Sequence, residues 1–286
     1  MPAPALDHAQ VRRGFARAAR GYARFAVLQQ EVERRLLEHL DTIANPPERI
    51  LDLGSGPGTA SLALKKRWPG AQVVALDSAL PMLQLARRTA GRWRPRFATV
   101  CGDARALPFA EQSFDLVFSS LAMPWVEDFT RLTLQWRKVL RPDGMLLCSS
   151  FGPATLIELA HAFAQADPGV PHVHGFADTQ LIGDTLLAAG FLNPVVLNEH
   201  FILTYRDGRQ LLRELQATGS SNALQERRRS LTGKGRLQAM LAAYEAWRDA
   251  DGLLPATCEV IYIQAMAHKP RPPGVRQQAA PFAGLG

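Results

Sequence analysis

Residues 50–64, ILDLGSGPGTASLAL, set three glycines at alternate positions between an apolar, strand-like run and a helix-forming one. A strand that turns at once into a helix while leaving its main chain bare belongs in an α/β sheet. In such sheets ligands lie beyond the carboxyl ends of the strands, at the point where strand order reverses. Glycine there adopts dihedrals closed to other residues and lets a ligand approach backbone. The loop is not a triphosphate loop, because no Gly-Lys-Ser/Thr follows. It also departs from the dinucleotide fingerprint Gly-x-Gly-x-x-Gly, since Gly58 comes one residue early and Thr59 stands last. A tight strand-to-helix turn without any ligand is the plainer alternative.

The pattern around this loop repeats. Strand-like runs lie at 49–53, 71–77, 96–100, 114–120 and 145–151, with helical segments near 59–67, 80–90 and 128–140 between them. Near-continuous apolar strands alternating with helices mean a parallel sheet covered on both faces, a Rossmann-like doubly wound α/β fold. Ahead of it, apolar positions 11, 15, 18, 22, 25, 32, 36 and 40 recur three or four apart, a leading helix interrupted near Gly21. RPDG at 141–144 reads as a turn before the fifth strand. Further helices fall at 154–166, 178–189, 207–217 and 235–249, with strands at 194–204 and 256–269. The expected organisation is an N-terminal helical segment over 1–47, the ligand-binding core over 48–152, helical cap insertions and final strands of the same domain over 153–269, and a disordered tail over 270–286.

Composition excludes several classes. The 286 residues contain no apolar run near the ~18 that a membrane helix needs, and MPAPALDHAQVRR has no apolar secretory core. Cys101, Cys148 and Cys258 are odd in number and set in apolar contexts, so buried free thiols in a reducing cytoplasm are expected, with no metal site. The net charge of +7 is uneven: Arg12, Arg13, Arg17, Arg20 and Arg24 occur without an intervening acid, and Arg227, Arg228 and Arg229 form a second cluster. Such clusters suggest an anionic partner, whether nucleic acid, an acidic protein or an acidic substrate; a merely solvated basic face is the plainer alternative.

Asp77 closes the second strand, where a carboxylate can accept both hydroxyls of a ribose. GDARALPF brings Asp103 to the same rim after the third strand. Either acid alone reads as a helix cap or a solvated loop residue; the pair beside a glycine loop points to a ligand rich in hydroxyls and positive charge rather than phosphate. Together LDLGSGPG, ALDSALPML, GDARALPF, FDLVFSSLAMPW and VLRPDG resemble the successive motifs of class I S-adenosylmethionine-dependent methyltransferases over residues 48–150. The resemblance implies a mostly parallel sheet with an antiparallel last strand and S-adenosylmethionine as cofactor. It implies Asp52, Gly54 and Gly56 at the methionine end, Asp77 at the ribose, and Asp103 with Ala104 and Met82 at the adenine. Ser55, Gly58, Ser78, Ser119 and Gln29 complete the expected cofactor set.

The segments outside the core resemble one family within that class. FARAARGYARFAVLQQEVERRLLEHL, LLRELQATGSSNALQERRRSLTGKGRLQAMLAAYEAW and LPATCEVIYIQAMA are similar to the leading helix, cap and final strand of the malonyl-acyl-carrier-protein O-methyltransferases of biotin synthesis. The residues that carry the first likeness are Phe15, Ala18, Ala19, Tyr22, Leu28 and Gln29. The family's Ser-Asn-x-Ala-x-Gln-Trp after the fourth strand reads SSLAMPW here, so Ser120 and Pro124 replace two amides while Ala122 and Trp125 remain. The resemblance implies methylation of a malonyl carboxylate on acyl-carrier protein, with no nucleic acid and no membrane as partner. Tyr22, Trp125, Arg227, Arg228 and Arg229 are then the substrate-binding candidates. A carboxylate of pKa ~4 is ionised at neutral pH, so no general base is expected. Tyr22 reads otherwise as a half-buried helix residue, Trp125 as core, the arginine run as an exposed helix face, and His172 and His174 as part of a cap loop without a third ligand. Competing functions are methylation of a small acceptor such as a quinone precursor, methylation of nucleic acid, and a non-enzymatic carrier-binding module.

Overall fold

The computed structural model describes residues 5–43, 45–228, 230 and 233–267. The strands are β1 (Arg49–Leu53), β2 (Gln72–Asp77), β3 (Ala98–Cys101), β4 (Phe114–Ser119), β5 (Leu140–Phe151), β6 (Phe191–Tyr205) and β7 (Leu254–Ala267). They form a single seven-stranded sheet in the order β3-β2-β1-β4-β5-β7-β6. The first five strands pair in parallel, and β7 runs antiparallel between β5 and β6. From β3 at one edge the chain returns across β1 to β4, so order reverses beside β1 and a crevice opens at its carboxyl end.

Helices cover both faces, as the near-unbroken apolar strands require. On one face α3 (Val27–Glu38), α4 (Thr59–Arg67) and α5 (Leu80–Ala90) bury Leu28, Val32, Leu36, Leu64, Leu83 and Ala86 against Ile50, Val73 and Leu116. On the other, α6 (Phe129–Val139) and α8 (Thr179–Ala188) bury Leu132, Trp136, Ile182 and Leu186 against Leu51, Val117 and Ile261. The 153–269 segment supplies β6 and β7 to this same sheet. It also supplies α7 (Ile157–Ala166), α9 (Gly208–Ala217) and α10 (Lys234–Tyr244), which gather Leu159, Leu211, Met240 and Tyr244 into a cap core. There the Tyr244 hydroxyl donates to the Pro255 carbonyl at 2.6 Å.

Three local expectations are revised. The leading helix breaks twice, into α1 (His8–Ala18), α2 (Tyr22–Phe25) and α3, at the Gly21 turn and again at Ala26, whose φ of −81° and ψ of 46° leave the helical region. RPDG falls inside β5: Phe114 pairs with Leu140 and Leu116 with Met145, so the turn residues bulge out while pairing resumes on either side. Cys148 and Cys258 are buried, but Cys101 is exposed at the end of β3. The expected tail over 270–286 and the side chain of Arg229 lie outside the described residues.

Candidate functional site

The glycines are left-handed for separate reasons, with φ of +72°, +52° and +79° at Gly54, Gly56 and Gly58. A Cβ on Gly54 would sit 2.3 Å from the Ala122 Cβ, and one on Gly58 would sit 2.9 Å from the Phe97 ring and 3.1 Å from the Ala86 Cβ. These two let the loop pack against its neighbours. A Cβ on Gly56 would meet nothing within 4 Å; its bareness serves the open crevice. The loop is pinned from below, because Gly54 N–H and Ser55 N–H both donate to the Leu76 carbonyl, at 2.8 and 3.0 Å.

Asp77 completes this corner. One carboxylate oxygen accepts the Gly56 N–H at 2.9 Å and the other the Ala79 N–H at 2.7 Å, which leaves acceptor capacity on both. Burial pushes its pKa up, opposed by those backbone donors. Two more acids stand behind the loop. Asp52, at the end of β1, is pushed to about 7 by burial and accepts the Ser61 hydroxyl. Glu33, on α3, is also raised to about 7 by burial and accepts the Thr59 hydroxyl at 2.9 Å. Asp52 and Glu33 line one small cavity with Tyr22 and Gln29, and Asp77 lines the adjoining cleft across Gly56, so carboxyls on both sides of the loop favour a positively charged ligand. Glu33 escaped the sequence reading; the signal was its i, i+4 spacing from Gln29 on one helix face.

The larger cleft, about 1040 Å³ with its open mouth, runs from this corner past Tyr22, Met82, Asp103, Ala104 and Trp125. Met82 is 1% exposed and packs with Ala19 and Ala79 beside Phe15 and Tyr22. Ser78 and Ala104 also line the cleft. Asp103 lies at the rim, but its carboxylate is bound by the Arg105 guanidinium at 2.6 and 3.0 Å, which holds its pKa below the usual range. Ser119 does not reach the cleft: it is fully buried and its hydroxyl donates to the Leu53 carbonyl at 2.9 Å, tying β4 to β1, while Ser120 lines the cleft instead. After it Leu121 takes φ +51°, and its N–H donates to the Ser149 hydroxyl at 3.1 Å. A left-handed leucine in the loop facing the crevice stores strain where the site is built.

Of the substrate candidates, Tyr22 and Trp125 line the cleft, and Phe15 meets Trp125 edge-on at 5.1 Å between ring centres. Burial and the charges of Glu33 and Asp77 push the Tyr22 hydroxyl's pKa up, so it stays protonated. The arginines are elsewhere. Arg227 donates to Asp7 at 2.9 Å and to the Leu224 carbonyl at 2.7 Å. Arg228 grips both oxygens of Asp167, at 2.7 and 3.1 Å. Both guanidiniums knit the cap to itself and to the N-terminal segment. Beyond Trp125 a second chamber of about 1280 Å³ extends under α7 and α9, with seven leucines and three phenylalanines in its wall; Gln29, Trp125, Phe151 and Ser220 line both spaces. Among the described residues no His, Cys, Asp or Glu cluster could hold a metal ion, and no helix is long and apolar enough to cross a membrane.

A doubly wound seven-stranded sheet with one antiparallel strand, a bare glycine turn after β1 and an acid closing β2 define a class I methyltransferase. A sequence profile described as a methyltransferase domain matches residues 50–144. The YcgJ protein of Bacillus subtilis shares this fold with a TM-score of 0.58 at 17% identity, over 83% of this chain and 99% of that one. A Haemonchus contortus phosphoethanolamine N-methyltransferase, solved with S-adenosylhomocysteine, matches with a TM-score of 0.55 at 18% identity over 83% and 52% of the two chains. The malonyl-[acyl-carrier protein] O-methyltransferase of Xylella fastidiosa is 53% identical over 93% of this chain and 90% of its own length. The chain belongs to the malonyl-[acyl-carrier protein] O-methyltransferase family. It is an S-adenosylmethionine-dependent methyltransferase.

Proposed function

We propose that the chain esterifies the free carboxylate of a malonyl group carried on acyl-carrier protein, an early step toward the pimeloyl part of biotin. The observation that carries the cofactor's placement is the corner formed by Gly56, Asp77, Asp52 and Glu33: bare backbone beside carboxyls fits a nucleoside that bears hydroxyls and a positive sulfur. When bound, S-adenosylmethionine supplies an electrophilic methyl group on that sulfonium. Asp77 would take the ribose hydroxyls, Met82 and Ala104 would flank the base, and Asp103 would reach it while still bound to Arg105. Asp52, Glu33, Gln29 and the loop backbone from Gly54 to Gly58 would hold the methionine end.

The remaining work is positional. An ionised carboxylate needs no proton removed, so the residues align it within about 3 Å of the methyl carbon and exclude water. Phe15, Tyr22 and Trp125 are placed to form that cover. Exposed Arg12, Arg13, Arg17 and Arg20 on and just after α1, of which Arg12 lines the cleft, support an anionic partner. Carrier protein and nucleic acid both meet that description, and the family likeness favours the former. The test offers malonyl-acyl-carrier protein, malonyl-pantetheine, a quinone precursor and DNA in parallel with labelled cofactor. Base-labile label on the malonyl-carrier is the expected result; label on the small phenol or on DNA, with none on malonyl groups, refutes the reading.

A further inference from the structure

The histidines of PGVPHVHGF have different surroundings. His172 stacks on Phe163, with 3.9 Å between ring centres and 6° between planes, and its Nε2 lies 3.0 Å from Asp167. It belongs to the knot that Asp167 makes with Arg228. His174 lines the second chamber, meets Trp125 edge-on at 5.2 Å, and lies 6.3 Å from Phe176 between ring centres. Its Nε2 accepts the backbone N–H of Ala223 at 3.1 Å. A ring that accepts at Nε2 while neutral carries its hydrogen on Nδ1. Burial pushes the His174 pKa down to about 4, which keeps it neutral near pH 7. Among the described residues none accepts the Nδ1 hydrogen, and the open space beside the ring is the chamber.

The chamber joins the cofactor cleft at Gln29, Trp125, Phe151 and Ser220. Its described lining contains no lysine or arginine. Its one lining carboxylate, Glu214, accepts the Tyr205 hydroxyl at 2.9 Å, so a carboxylate arriving beside His174 meets a neutral donor rather than a guanidinium. This suits a nucleophile: a salt bridge would tie up the oxygen lone pairs that must attack, whereas one neutral N–H orients the group and leaves the second oxygen free. The apolar walls, with Ser220, Ser221 and Asn222 on one side, match an arm that carries amides on an aliphatic chain.

We propose that this chamber is the acceptor's site and that His174 gives its Nδ1 hydrogen to the acceptor carboxylate at the doorway beside Trp125. The proposal rests on the carboxyl-methylating function above. Two substitutions separate holding substrate from holding structure. His174→Gln can keep a group near Nε2 for the Ala223 N–H but has none at Nδ1; His174→Asn restores a donor near Nδ1 and gives up the Ala223 contact. Steady-state kinetics with malonyl-acyl-carrier protein, alongside calorimetric binding of S-adenosylhomocysteine, should show KM in His174→Gln raised about tenfold or more. His174→Asn should stay close to the wild type in KM, and both should bind S-adenosylhomocysteine as the wild type does. Wild-type kinetics in His174→Gln, or equal loss in both variants, overturns the role of His174. Leu215→Trp, on α9 and lining the same chamber, should also raise KM; unchanged kinetics there overturns the chamber assignment. If the wild-type enzyme itself leaves malonyl groups unmethylated, the failure lies with the function and not with His174.

Discussion

Gly54 and Gly56 stand two residues apart and answer to different neighbours. Alanine at 54 would drive its methyl to 2.3 Å from Ala122, whereas alanine at 56 meets open space. Both carry the left-handed backbone penalty of about 1–2 kcal/mol. Gly54→Ala, which adds the clash to that shared penalty, should therefore lower the melting temperature the more and distort the loop, while Gly56→Ala should show only the smaller backbone loss yet lose cofactor affinity. Thermal melts paired with calorimetry check the split, and equal melting losses would contradict it. Glu33 and Asp52 supply a second prediction. Their pKa values, each near 7 against ordinary values of 4.5 and 3.8, mean that the folded apoprotein holds protons the unfolded chain has already released. Their contribution to stability is full below about pH 4 and is lost as pH rises through about 7. A cationic ligand favours the ionised forms. Affinity for S-adenosylmethionine should thus rise from pH 6 to pH 8 more steeply than affinity for uncharged-sulfur S-adenosylhomocysteine, and parallel profiles for the two ligands would count against the acidic corner.

The elements show where reading a sequence reaches its limit. Periodicity located β1 to β5 and their helices, because an apolar strand between helices has one way to be buried. It could not place Ser119 and Ser120: a step of one residue at a strand end swaps the face, and Ser119 turns to Leu53 while Ser120 lines the cleft. Nor could it pair Arg227 or Arg228, whose partners Asp7 and Asp167 lie 220 and 61 residues away, so an internal tie resembles a solvated basic run. The Asp167 knot with Arg228 and His172 fixes the loop that carries His174. Arg228 and His172 hold the Asp167 carboxyl at about 2, below its ordinary 3.8, so its contribution is present above about pH 4 and fades as pH falls through 2. Asp167→Asn should lower the melting temperature at pH 7 and raise KM for malonyl-carrier while leaving cofactor affinity unchanged; loss of cofactor binding would show that the knot supports the core instead.

Over the whole molecule, function follows from which ends meet. The cap and the N-terminal helices close over the carboxyl edge of the sheet, and they bring an exposed arginine face on and just after α1 to the cleft's border. If that face receives an acidic carrier, Arg17→Glu with Arg20→Glu should raise KM for malonyl-acyl-carrier protein and flatten its salt dependence. Turnover of malonyl-coenzyme A should change little, and equal loss on both substrates would refute docking there. The arrangement depends throughout on the pocket between β1 and β2 taking a sulfonium nucleoside. Calorimetric titration of the wild type and Asp77→Ala with S-adenosylmethionine and with NAD tests this most directly. One saturable site for S-adenosylmethionine, none for NAD, and affinity at least about tenfold weaker in Asp77→Ala is the predicted result. Binding of NAD, or full affinity for S-adenosylmethionine in a folded Asp77→Ala variant, would contradict it.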